Sequence, residues 1–208
     1  MCLTRIELSC NGGNQMTFRE QQKIMLAGLP YNDGTPEINK KREQTYLLNK
    51  EFNDSYGQPV AKRLGLLRRF LKSVGENVVF ETNFRCEFGC NITIGNNFFA
   101  NFDCIMFDGG EITIGDNVMF GPRVGIYTSN HAVGPRERAG LWCVAKGVRI
   151  GDNVWCGANV TINPGVEIGT NTIIGSGSVV TRNMPSGVIA AGNPCRVIRV
   201  LTEEELLR

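Results

Sequence analysis

Histidine is nearly absent: 208 residues contain one, His131. That count leaves no room for a metal centre built on several imidazoles. Cys86 and Cys90 form a CxxxC, yet no second closely spaced pair accompanies them, so no zinc site is expected and no metal is required. No run approaches the roughly 18 apolar residues of a membrane helix. Neither sign of charge prevails either. Lys and Arg number 22 against 20 Asp and Glu, a formal net charge of +2, without the basic footprint of a nucleic-acid binder. The opening MCLTRIELSCNGGNQ lacks an apolar core of signal-peptide length, which argues against export. Residues 1–15 read as an extension or tag, disordered and without structural meaning. The eight cysteines then read as free structural thiols in a reducing cytoplasm rather than as a disulfide framework.

Glycine is the residue in excess, with 25 copies concentrated after Gly89. Ahead of that point the chain reads as helical. Residues 18–29, 36–52 and 59–74 carry apolar side chains at helical spacing, and Pro36 and Pro59 suit a first helical turn. The basic residues of the third segment, Lys62, Arg63, Arg68, Arg69 and Lys72, read as a solvated face. Residues 201–207 suggest one short terminal helix or tail.

Beyond Asn91 a six-residue beat takes over. Ile150, Cys156, Ile162, Ile168, Ile174 and Val180 fall on one phase, and Val148, Val154, Val160 and Val166 on a second. Ile114, Phe120 and Ile126 extend the first phase backwards, and Ile112, Val118 and Val124 the second. Ile92–Gly95 sits two residues out of phase, which implies a small insertion near residues 108–111. A period of six fits neither a helix nor a long alternating strand. It fits a parallel β-solenoid in which a short strand and its corner take six residues, β-branched side chains fill the core, and Gly and Asn take corners that need positive φ. Between Tyr127 and Val148 the beat stops and then resumes in register, so 128–147 is expected to protrude as a loop carrying His131.

The stretches NITIGNNFFANFDC, ITIGDNVMFGP, IGDNVWCGANVTINPGVEIG, IGSGSVVT and AAGNPCRVIR resemble the hexapeptide-repeat acyltransferases, specifically the maltose/galactoside O-acetyltransferase branch. The resemblance runs from about Met16 to Val200. It implies an all-β-dominated fold, a left-handed parallel β-helix over 76–200. An N-terminal helical acceptor-side segment over 16–75 and a short tail over 201–208 would flank it. It also implies transfer of an acetyl group from acetyl-CoA to a sugar hydroxyl, in a homotrimer whose active sites lie between subunits. Neither nucleic acid nor membrane would be a partner.

Residue by residue, the resemblance makes His131 the general base, and neutral imidazole suits proton removal from an attacking hydroxyl. Either Glu137 or a backbone carbonyl would orient it. Asp33, Glu87 and Asn101 match acceptor-binding positions, although Asp33 alone would read as a helix N-cap and Asn101 as a corner residue. On the donor side Trp155 would pack along the pantetheine arm. Ala158, Ser176 and Thr181 would hydrogen-bond that arm, with the Ala158 N–H as a candidate oxyanion donor. Arg182, Arg196 and Arg199 would meet the nucleotide phosphates. Glu87, Gly109, Trp142, Cys143 and the Ala132–Val133–Gly134 run after the histidine depart from the family pattern. All of these surround the acceptor, so its identity is left open between a sugar, an aminosugar and another small hydroxyl or amine compound. A γ-type carbonic anhydrase on the same solenoid would need three histidines and is excluded by count. A non-enzymatic scaffold would have no use for FFANF, the His131 loop and the arginine tail together.

Overall fold

A computed structural model describes residues 16–207; the expectation for residues 1–15 lies outside the described residues. Three helices open the fold, Phe18–Leu26, Pro36–Asp54 and Val60–Leu67. The first begins at a full capping box, in which the Thr17 hydroxyl accepts from the Glu20 N–H and the Glu20 carboxylate accepts from the Thr17 N–H. The second begins at Thr35, with Pro36 in its first turn. Asp33 is therefore not the N-cap. The third helix ends at Leu67, earlier than its helical pattern suggests, because Ser73 and Val74 pair with Thr93 and Ile94 as the first rung of the solenoid.

From Ser73 the chain winds through three parallel walls. The first holds Ser73–Val74, Ile92–Ile94, Ile112–Ile114, Val148–Ile150 and Glu167–Ile168. The second runs from Val79–Phe80 to Val188–Ala191 and ends on the antiparallel strand Arg196–Val200. The third runs from Arg85–Cys86 through Gly125–Tyr127 to Val179–Val180. Both phases of the hexapeptide beat are buried, including Cys156 and, on the second phase, Thr172 and Ser178, all at 0% exposure.

Register gives the length of each coil. Trp155 pairs with Ile173, eighteen residues on, whereas Ile92 pairs with Ile112, twenty on, and Ile112 with Val148, thirty-six on. The first two full coils thus hold two residues more than the regular eighteen, and the third holds eighteen more. All the extra residues fall at one corner, between the third wall and the first: after Cys86, after Phe107 and after Tyr127. That corner carries the segment with His131.

The two regular corners are held by asparagine and by close approach. Asn77, Asn97, Asn117, Asn153 and Asn171 all lie at φ between +54 and +59. Their side chains form a ladder of amide hydrogen bonds of 2.9–3.0 Å from coil to coil. Asparagine tolerates that conformation and satisfies its own amide. The glycines on the beat have a different role. A Cβ on Gly157 would lie 2.7 Å from Ser176 N, so glycine there permits coil-to-coil stacking rather than positive φ. At the open N-terminal end the Phe52 ring from the second helix meets Phe80 and Phe84 edge-on. Arg63 is also buried there, its guanidinium 4.7 Å from the Phe52 ring, and so it leaves the solvated face expected of its neighbours.

Candidate active site

The irregular corner is stapled by buried polar side chains. Asp108 is fully buried, and its carboxylate accepts from the backbone N–H groups of Glu87, Phe88 and Asn91 at 2.8–3.3 Å. Burial raises its pKa against the lowering effect of those donors. One coil further, the Thr128 hydroxyl accepts from Gly110 N at 2.7 Å and donates to the Phe107 carbonyl at 2.6 Å. With the start of the long insertion pinned at Thr128, 128–147 folds as a hairpin. Ser129–His131 pairs antiparallel with Trp142–Ala145, and Pro135–Ala139 forms a short helix between them.

The N-terminal segment joins the hairpin. Tyr31–Asn32 pairs with Cys143 and Trp142 to make a three-stranded sheet, and Asp33 N donates to the Leu141 carbonyl at 2.9 Å. Asp33 is thereby held next to Arg42 of the second helix. The Arg42 guanidinium donates to the Asp33 carboxylate, to the Asp33 backbone carbonyl at 2.8 Å, and to Glu87 Oε1 at 2.5 and 2.9 Å. The second oxygen of Glu87 is buried and has no partner among the described residues. The two ionisations pull in opposite directions. Burial works against the Arg42 charge, but its two carboxylates outweigh that and hold it above its ordinary value. Burial also pushes Glu87 up, to about 7, and the shared guanidinium only partly offsets the push.

His131 stands exposed on the rim of this sheet. Its Nδ1 lies 3.1 Å from Cys143 Sγ, and among the described residues the ring makes no hydrogen bond to Glu137 or to a carbonyl. Gly109 lies beneath the sheet, where a Cβ would come within 2.0 Å of Ser129 Oγ and 3.1 Å of Tyr31 OH. Those two hydroxyls are 3.2 Å apart and occupy the space that a side chain at 109 would need.

One chain therefore gathers His131, Asp33 and Glu87 and leaves the other expected residues elsewhere. Asn101 sits at the opposite corner, its Oδ1 accepting from Phe102 N at 2.9 Å. Ala158 and Ser176 stack at that same corner. There the Ala158 N–H donates to the Ser176 hydroxyl at 3.1 Å and is already satisfied within the chain. Trp155 stands 48% exposed on the second wall, between Met119 and Ile173. Thr181 and Arg182 are exposed in the last coil, just after the strand Val179–Val180. Arg196 bonds the Cys195 carbonyl at 2.8 Å, and Arg199 makes two 2.7 Å bonds to Glu205 of the helix Glu203–Leu207. Arg42, Tyr31, Ser129 and Asp108 escape a sequence reading. Only the two-residue phase slip near Asp108 signals any of them.

Comparison with known proteins matches residues 24–75 to the maltose acetyltransferase hexapeptide capping motif and 147–182 to the bacterial transferase hexapeptide. The galactoside O-acetyltransferase of Escherichia coli K12 is 41% identical over 86% of this chain and 88% of its own length. A crystal structure of a maltose O-acetyltransferase from Clostridium difficile 630 superposes with a TM-score of 0.86 at 44% identity, covering 91% of this chain and all of the other. A galactoside acetyltransferase solved in complex with coenzyme A superposes with a TM-score of 0.84 at 39% identity, over 89% and 93% of the two chains.

Proposed function

This chain belongs to the maltose/galactoside branch of the hexapeptide-repeat O-acetyltransferases, and from that premise we propose that it acetylates a hydroxyl of a maltose- or galactoside-like sugar with His131 as general base. The observation that carries the reading is the placement of the sole histidine. It is exposed on the sheet that Tyr31–Asn32 shares with the hairpin, beside the Asp33–Arg42–Glu87 cluster.

In this reading the imidazole takes the proton of the sugar hydroxyl as its oxygen attacks the thioester carbonyl of acetyl-CoA. The tetrahedral adduct collapses with release of the coenzyme A thiolate, and the imidazolium returns the proton to the departing sulfur. General-base help of this kind is worth about a hundred- to ten-thousand-fold in rate. Asp33, Arg42 and Glu87 offer acceptors and donors to the sugar hydroxyls. Coenzyme A binds along the second wall over Trp155, with Thr181 and Arg182 of the last coil and Arg196 and Arg199 of the terminal strand toward its phosphates. The relative solved with coenzyme A supports the donor. Because Trp155 and His131 lie on different sides of one prism, the complete site takes its two halves from neighbouring chains of a trimer. A thiol-release assay with acetyl-CoA across maltose, glucose, thiogalactosides and aminosugars tests the reading. We expect turnover with at least one neutral sugar and its loss in His131→Ala. Retention of more than a few per cent of activity in that variant would refute the general base.

A further inference from the structure

We propose that Cys143 is a positioning residue for the reaction: its sulfur accepts the Nδ1 proton of His131 and so fixes the tautomer whose Nε2 lone pair is free for the acceptor hydroxyl. The inference rests on His131 acting as the base and goes beyond it, because it says which proton the resting ring carries and what holds it.

The contact is built by the sheet. His131 and Cys143 are direct cross-strand partners, flanked by Ser129 against Ala145 and by Ala132 N donating to the Trp142 carbonyl at 2.9 Å. Directly opposed residues bring their Cβ atoms to about 5 Å, which is the separation a thiol and an imidazole span. Cys143 lies on the middle strand with Tyr31 paired on its other side, and it is 3% exposed, whereas His131 is exposed. The nitrogen facing the sulfur is Nδ1 at 3.1 Å, so Nε2 is the one left to meet substrate.

A thiol can donate or accept. If Cys143 donated to Nδ1, the ring proton would sit on Nε2 and the base would be lost. The charged groups facing the thiol are the carboxylates of Asp33 and Glu87 and the Arg42 guanidinium; the other strand presents only the neutral Tyr31 phenol. Burial first, and then those carboxylates, push the Cys143 thiol up to about 11. It therefore keeps its hydrogen, and in the proposed arrangement that hydrogen points toward the carboxylates, which leaves the sulfur lone pairs for the ring. The same burial makes Cys143 a poor nucleophile, so the geometry favours orientation over a covalent acetyl-cysteine.

The single histidine makes the test direct. In the tag-free chain labelled with 15N-histidine, one imidazole reports. We expect protonated Nδ1 and bare Nε2 in the neutral wild-type ring, and a shift toward the Nε2–H form in Cys143→Ala. With acetyl-CoA and a thiogalactoside, Cys143→Ala should lose about tenfold in kcat, the worth of one orienting hydrogen bond. KM for both substrates should stay within about twofold. Cys143→Ser, whose oxygen still accepts, should keep kcat within about threefold and guards against a folding defect in the alanine variant. An Nε2–H tautomer in the wild type, or unchanged tautomer and kcat in Cys143→Ala while His131→Ala is inactive, overturns the proposal. Acetylated Cys143 found by mass spectrometry during turnover overturns it in favour of a nucleophile. Activity in His131→Ala would instead defeat the general-base reading beneath it.

Discussion

Glu87 is a carboxylate whose environment raises its pKa from the usual 4.5 to about 7, through burial that outweighs Arg42. The sign of the consequence follows from linkage. A raised acid pKa means that the native state binds the proton more tightly than the unfolded chain does, so the group's contribution falls as pH rises from about 4.5 to 7. Asp108 shares the corner and is also raised by burial, so a single pH titration would mix the two. The difference between wild type and Glu87→Gln isolates one. In urea denaturation we expect wild-type stability relative to Glu87→Gln to fall between pH 5 and pH 8. A difference that stays flat would mean that Arg42 fully compensates the charge.

At the scale of elements, the hairpin and the Tyr31–Asn32 strand form one sheet laid over the corner at Gly109. Nothing larger than hydrogen fits at 109 while the Tyr31–Ser129 hydrogen bond stands. Gly109→Ala should drive Ser129 Oγ away and leave the phenol of Tyr31, itself 5% exposed, without its partner. Overpacking and a lost buried hydrogen bond together are worth about 1–3 kcal/mol. A lower urea midpoint is expected in Gly109→Ala, with part of the loss recovered in Gly109→Ala/Ser129→Ala. An unchanged midpoint in the single variant would show that the sheet yields at no cost.

The whole molecule divides the proposed site residues between two sides. The protruding corner carries His131, while Trp155, Ala158 and Ser176 lie on the second wall and the corner after it. Large apolar side chains stay open in the single chain, among them Met119 at 51%, Trp155 at 48% and Phe107 at 43%. Such exposure is usual for a surface that meets a partner. If neighbouring subunits complete each site, His131→Ala and Trp155→Ala chains, each crippled alone, should regain activity when co-expressed and assembled together. Lack of recovery in verified mixed trimers would place both halves within one chain.

Much of this architecture was legible from one dimension. In a solenoid each coil contacts its neighbours, so the sequence period and the spatial period are the same quantity. Hence Ile112 and Val148 could be placed in one register from the sequence, and the slip near Asp108 read as an insertion. The local rule also located the loop that carries His131. It was silent on Arg42 joining Glu87 across 45 residues, on Tyr31 meeting Ser129 across 98, and on Cys143 facing His131. Those contacts join the N-terminal segment and the hairpin, which share no period with the coils. Their partners were decided only when the two segments closed into one sheet at the irregular corner, where burial and shared charge have no counterpart along the chain.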